Sequence, residues 1–118
     1  MADLKTNSDL LTSARQEKDA LIASVRGEID LHNSPDLRSA LLELLNIVKP
    51  KRLVLNLDLV PYMDSSAIAV LVETLQKLKR SGGKVFLTGL QPRVKGLLEI
   101  ARLDQIFVIV KDENEAMK

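Results

Sequence analysis

The chain contains no cysteine and a single histidine, His32. The first absence removes disulfides, thiol catalysis and thiolate zinc sites. The second removes a histidine-rich metal centre. Aromatic side chains are scarce, with only Tyr62, Phe86 and Phe107. So few rings do not make a base-stacking platform for single-stranded nucleic acid. Neither sign of charge dominates: 17 Lys and Arg face 16 Asp and Glu, for a net charge of +1. That balance gives no general reason to expect a nucleic acid or an anionic membrane as partner, although a local patch stays open. Long apolar runs are missing as well. The longest, residues 67–72, falls far short of the ~20 residues that a membrane helix needs. Residues 1–8 are polar and lack the basic start and apolar stretch of a secretory signal. We therefore expect a cytoplasmic monomer with no nucleic-acid and no membrane partner.

What is present is an ordinary globular composition, 46% hydrophobic and 28% charged over 118 residues, enough for one domain. Residues 1–8 read as a flexible arm and 9–118 as the domain. Residues 10–15 form a weakly patterned strand. In 20–26, Leu21, Ala23 and Val25 alternate onto one face, with a polar hairpin turn at 17–19 before them. Ser34 as N-cap and Pro35 at the first helical position then open a helix. Its apolar stripe is Leu37, Ala40, Leu41, Leu44, Leu45 and Val48, and Pro50 ends it. Residues 52–57 are short and nearly continuously apolar, the pattern of a central strand covered on both faces.

A loop over 58–64, broken by Pro61, leads into a second helix over 65–81. Gly82 and Gly83 stop that helix, because glycine tolerates the left-handed conformation. A strand at 84–88 follows, then a turn. A third helix opens at Pro92 with Val94, Leu97, Leu98 and Ala101 inward. Residues 106–110 read as a last buried strand, and 112–118 leave room for a short final helix. The alternation predicts a single α/β domain, a four- to five-stranded mixed sheet packed with three to four helices.

The informative stretch is 56–75, NLDLVPYMDSSAIAVLVETL. It places Asp58, Asp64, Ser65 and Ser66 between a central strand and the next helix, on the usual functional edge of an α/β sheet. The plainer reading is that Asp64 or Ser65 merely caps the helix. No nucleophile–base pair, metal cluster or glycine-rich phosphate loop is visible, so neither an enzyme nor a cofactor or metal is expected. His32 has no second polar cluster to serve as a general base. Lys77, Lys79, Arg80 and Lys84 read as a solvated helix end that complements the helix dipole.

The stretch MDSSAIAVLVETLQKLKRSGGKVFLTGLQPRVKGLLEIARLDQIF resembles the core of the STAS domain, most closely the bacterial anti-sigma factor antagonists. Gly27-Glu28-Ile29-Asp30 before the first helix adds to the resemblance, which covers roughly residues 10–115. The family motif is Asp-Ser-Ser-Gly, with its first serine phosphorylated. By position that serine is Ser65, preceded by Asp64. Ala67 stands where glycine is usual. The resemblance implies a binding switch. The unphosphorylated form would hold an anti-sigma factor that is also a serine kinase, and so free the sigma factor. Phosphorylation of Ser65 would end the complex, and a serine phosphatase would reverse it. The loop with Glu28, Asp30, His32 and Asn33 would border the partner surface, together with Asp64, Ser66, Tyr62 and Met63. The plainer reading of that loop is a solvated turn with capping side chains, and Met63 could equally plug the core. Phosphate adds about −1.5 to −2 charge units near pH 7. We expect that charge to act at the interface and to leave the fold intact.

Other readings stay open. Within the family, a stressosome scaffold or a transporter-associated subunit would act by protein binding alone. Outside it, a receiver-like phosphoacceptor would use Asp58, with Thr88 and Lys111 in comparable positions. A receiver needs an acidic pair after its first strand, whereas here Ile29 separates Glu28 from Asp30.

Overall fold

The computed structural model describes residues 2–6 and 8–118. Its sheet follows chain order: Ala2–Asp3 (β1), Leu11–Glu17 (β2), Ala20–Arg26 (β3), Arg52–Leu59 (β4), Lys84–Thr88 (β5) and Val108–Val110 (β6). The first pairings are antiparallel and those from β3 to β6 are parallel, so the sheet is mixed. Five strands carry it; β1 adds only a two-residue edge pair. Lys18, at φ 56°, closes the tight turn between β2 and β3.

The connections after β3 are helices: Ser34–Val48 (α1), Ser65–Arg80 (α2) and Pro92–Ile100 (α3), with Glu113–Ala116 (α4) last. The register explains why they lie where they do. Leu21 sits beside Leu53 and Ala23 beside Leu55, and Leu53 and Leu55 meet Val85 and Leu87 on β5. These side chains make one continuous apolar face. Against it pack Leu41 and Leu44 of α1, Leu71 and Leu75 of α2, and Val94 and Leu98 of α3. The opposite face has a smaller apolar centre, Ala20, Ile22 and Val54, covered by Ala116 of α4. Arg15 donates to Glu113 at 2.6 Å and Arg52 donates to the Ala116 carbonyl at 2.9 Å, which pins α4 there. No helix among the described residues is long and apolar enough to cross a membrane.

Several sequence expectations need correction. Ser34 is not the cap. It lies inside the first turn of α1, buried, and Asn33 precedes it. The loop before it closes on itself: Asn33 Oδ1 accepts the Asp30 N–H at 2.8 Å, and Asp30 accepts the N–H groups of His32 and Asn33. Residues 106–110 do not form a buried strand. Only Val108–Val110 pairs, at the sheet edge, and Val108 and Ile106 stay exposed because nothing pairs beyond them. Ala101 is exposed at the end of α3 instead of inward. The central strand runs to Leu59, which puts Asp58 on β4. Part of the expected arm is drawn onto the sheet edge. Ala2 and Asp3 pair with Gln16 and Arg15, and the Leu4 N–H reaches the Ala14 carbonyl at 2.7 Å. Met1 and Asn7 of that arm lie outside the described residues.

Candidate functional site

Beyond the sheet proper, β3 and β4 continue as two loops held side by side. Gly27 turns the chain out of β3 at φ 84°, which favours glycine, and its N–H reaches the Leu59 carbonyl at 2.9 Å. Ile29 bridges Met63 in parallel fashion. Its N–H donates to the Tyr62 carbonyl at 3.1 Å, and its carbonyl accepts from the Asp64 N–H at 3.0 Å. This pairing of backbone holds Asp64 in extended conformation at the mouth of α2, as the N-cap.

The two serines after Asp64 have different roles. Asp64 Oδ1 accepts the Ser66 N–H at 2.9 Å, the Ser66 hydroxyl at 2.5 Å and the Ala67 N–H at 3.4 Å. These donors hold the carboxyl below its ordinary value, the Ser66 hydroxyl foremost. Ser65 is exposed, and its hydroxyl makes no hydrogen bond among the described residues. Ala67, in place of the expected glycine, is fully buried in the first turn. Capping is therefore assigned to Asp64 with Ser66, and the Ser65 oxygen is left over.

A check on this division is Ser66→Ala. It removes the main cause of the depressed Asp64 carboxyl, so that group should titrate nearer its ordinary value by carbon-13 NMR. An unchanged titration would contradict the hydroxyl bond. The sign for stability follows. A carboxyl lowered by folding contributes fully above its unfolded value, and the contribution is lost as pH falls through the folded one. Ser66→Ala should therefore lose less stability than the parent chain on acidification.

Ser65 opens onto a groove of about 540 Å³ shared with Tyr62, Pro92, Arg93, Leu97 and Ile100. The Arg93 guanidinium lies 4.5 Å over the Tyr62 ring, a cation–π contact that ties the loop to α3. Ile100, at the groove, is 84% exposed. Leu31, at 72%, stands exposed on the loop after β3, and Leu59, at 54%, at the end of β4. Exposed large apolar side chains around one edge are the usual mark of a protein contact.

Among the expected contact residues, Glu28 and His32 are exposed, Asp30 and Asn33 are partly so, and Tyr62 is half-buried at the groove. The imidazole is 96% exposed with Asp30 3.8 Å away, so it has no built environment. Met63 is a correction. At 2% exposure it belongs to the core, because its bridge to Ile29 turns the side chain inward. Asp58 stands apart, in a separate depression with Asn56, Thr88 and Lys111. The acids that line it with Asp58 are Asp112 and Glu113, from the start of α4 and not from the end of the first strands; Glu28 is exposed, and Asp30 is bonded within its own loop. No group of three potential metal ligands occurs among the described residues. Leu31, Leu59, Arg93 and Ile100 were not anticipated. Ile100 lies off the Val94–Leu98 stripe of α3, and Leu31 is an apolar residue in a polar loop; both were signals available in the chain itself.

The chain is thus a small mixed α/β domain that presents one unbonded helix-start hydroxyl beside an open groove. The chain belongs to the STAS domain family, whose model matches residues 12–116. It is 34% identical over 95 residues to an anti-sigma-B factor antagonist of Bacillus subtilis, covering 80% of this chain and 85% of that one. It is also 37% identical over 84 residues, 71% of its length, to a B. subtilis protein named for sulfate transport. It spans only 16% of that longer relative. Among solved structures, one from Thermotoga maritima named for anti-sigma factor antagonism superposes with a TM-score of 0.82 at 26% identity, covering 88% of this chain and 89% of that one.

Proposed function

We propose that this chain is an anti-sigma factor antagonist switched by phosphorylation of Ser65. Unphosphorylated, it holds an anti-sigma factor that is also a serine kinase, and the sigma factor is released. Within that complex Ser65 Oγ takes the terminal phosphoryl group of ATP, its proton passes to the kinase, and ADP leaves. The modified chain then dissociates, and a serine phosphatase hydrolyses the ester. Included in this proposal are a cytoplasmic location, where such partners act, and a monomeric state between binding events. The observation that carries this reading is the exposed Ser65 hydroxyl, unbonded beside a serine that is fully engaged in capping. Similarity at matching length to an anti-sigma-B factor antagonist supports it.

The test uses purified chain, ATP and the anti-sigma kinases of the source organism, one at a time, followed by intact-mass analysis. One kinase should add a single phosphoryl group, mapped by fragmentation to Ser65 and stable to hydroxylamine. Labelling at Ser66, a hydroxylamine-labile product, or no labelling by any of them would overturn the proposal. Similarity to the transport-named protein favours a second reading, an accessory domain that docks through the same edge without phosphorylation. Binding without labelling is the outcome that distinguishes it.

A further inference from the structure

We infer that the cleft between the C-terminal ends of α1 and α2 docks an acidic protein segment bearing an apolar side chain. The cleft measures about 440 Å³ and has Leu45, Leu78 and Pro50 in its lining. Lys49, Lys51, Lys77 and Arg80 surround it, and no carboxylate is among the lining residues. Helix dipoles alone do not account for so much positive charge. Two helix C-termini supply together about one negative charge. Lys51 is also used structurally, donating to the Ser81 carbonyl at 2.8 Å. Lys77 also feels Glu73 one turn earlier, although Arg38 already holds that carboxylate, so about two to three positive charges remain without an acid of their own, on a chain whose net charge is only +1. Lys84 and Lys118 extend the positive charge into a neighbouring depression, where Asp19, the one acidic side chain in the lining, is paired with Arg52 at 3.7 Å.

Charge complementarity calls for an anionic occupant, and the cleft's lining selects among the anionic classes. No aromatic ring lies in the cleft to stack a base. The apolar residues lie in a recess and do not protrude, which suits a side chain entering from a peptide better than insertion into a bilayer. The position is informative too. Ser65 begins α2 and Arg80 ends it, and 16 helical residues span ~24 Å. An acidic segment bound here leaves the serine edge free, so both contacts can form at once.

Fluorescence anisotropy at low salt tests this with a fluorescein-labelled glutamate-rich peptide that carries leucine, and with the same peptide carrying serine instead. The leucine peptide should bind, and the serine version should bind about tenfold more weakly. Lys77→Gln with Arg80→Gln should weaken the leucine peptide about tenfold, whereas Ser65→Asp should leave it unchanged. Lys49→Gln is a second variant outside both helices, in case the pair perturbs α2, and thermal melts confirm that each variant is folded. Absence of binding, equal binding of the two peptides, indifference to the charge variants, or preference for single-stranded DNA or phosphatidylserine vesicles would each overturn the inference.

Discussion

Ser65→Asp is expected to weaken capture of the cognate anti-sigma factor by at least about a hundredfold, equivalent to ~2.8 kcal/mol, with no loss of thermal stability. The argument compares the free domain with the complex. In the free domain the new charge stands beside Asp64. Two like charges ~6 Å apart repel by roughly 3 kcal/mol at an effective dielectric of 20, and by under ~1 kcal/mol in full solvent. Ser65 is exposed, so the solvent figure is the relevant one. The N-terminus of α2 returns about 0.3–1 kcal/mol by attracting an anion. The two effects nearly cancel, and the fold is indifferent. At an interface closed over the groove that Ser65 shares with Pro92, Leu97 and Ile100 the anion must be desolvated, and an unpaired charge there costs several kcal/mol. A phosphoryl group carries more charge than aspartate, so its effect should be at least as large. Isothermal calorimetry of the parent chain, Ser65→Ala and Ser65→Asp decides the matter. Ser65→Ala should bind like the parent. If Ser65→Asp also binds like the parent, charge at this position is not the switch.

The difference between local and non-local information explains which features the chain's pattern revealed. The stripe from Leu37 to Leu45 reports which side of a helix is buried, because its spacing is fixed by the helix itself. Asp64-Ser65-Ser66 at the start of α2 was legible for the same reason: capping is settled within a few residues. The choice between the two hydroxyls was not. It depends on which one reaches Asp64 Oδ1, and that is a matter of side-chain direction. Ser34 has the residue type of a cap, but Asn33 takes that position because it and Asp30 close the loop on each other. Residues 106–110 looked buried because β-branched composition does not say whether a strand has a neighbour on both sides. Leu31 and Ile100 each stand out in the chain as single apolar residues, but their sharing an edge is non-local. They come from segments far apart in sequence, and only the pairing of the two loops and the placement of α3 bring them to one edge.

Met63→Ala should destabilise the domain by about 2–5 kcal/mol, the range for truncating a buried methionine to alanine. For a domain of this length that corresponds to a melting temperature lower by roughly 10–20 °C. The loop that carries Met63 is short and lies next to the functional edge, so a contact role was a reasonable reading of its sequence. The structure places the side chain in the main core, packed beneath the bridge to Ile29. Truncation leaves a cavity there, because the backbone on both sides is fixed by hydrogen bonds to Tyr62, Asp64 and Ile29 and cannot collapse inward. Met63→Leu conserves volume and should cost less than ~1.5 kcal/mol. Tyr62→Ala is the contrasting variant. That ring is half-buried and held by Arg93 at the groove, so its loss should reduce partner affinity more than stability. Denaturant unfolding of the three variants, with calorimetry against the anti-sigma factor, separates the roles. A Met63→Ala chain that melts like the parent but loses its partner would move that side chain from the core to the interface.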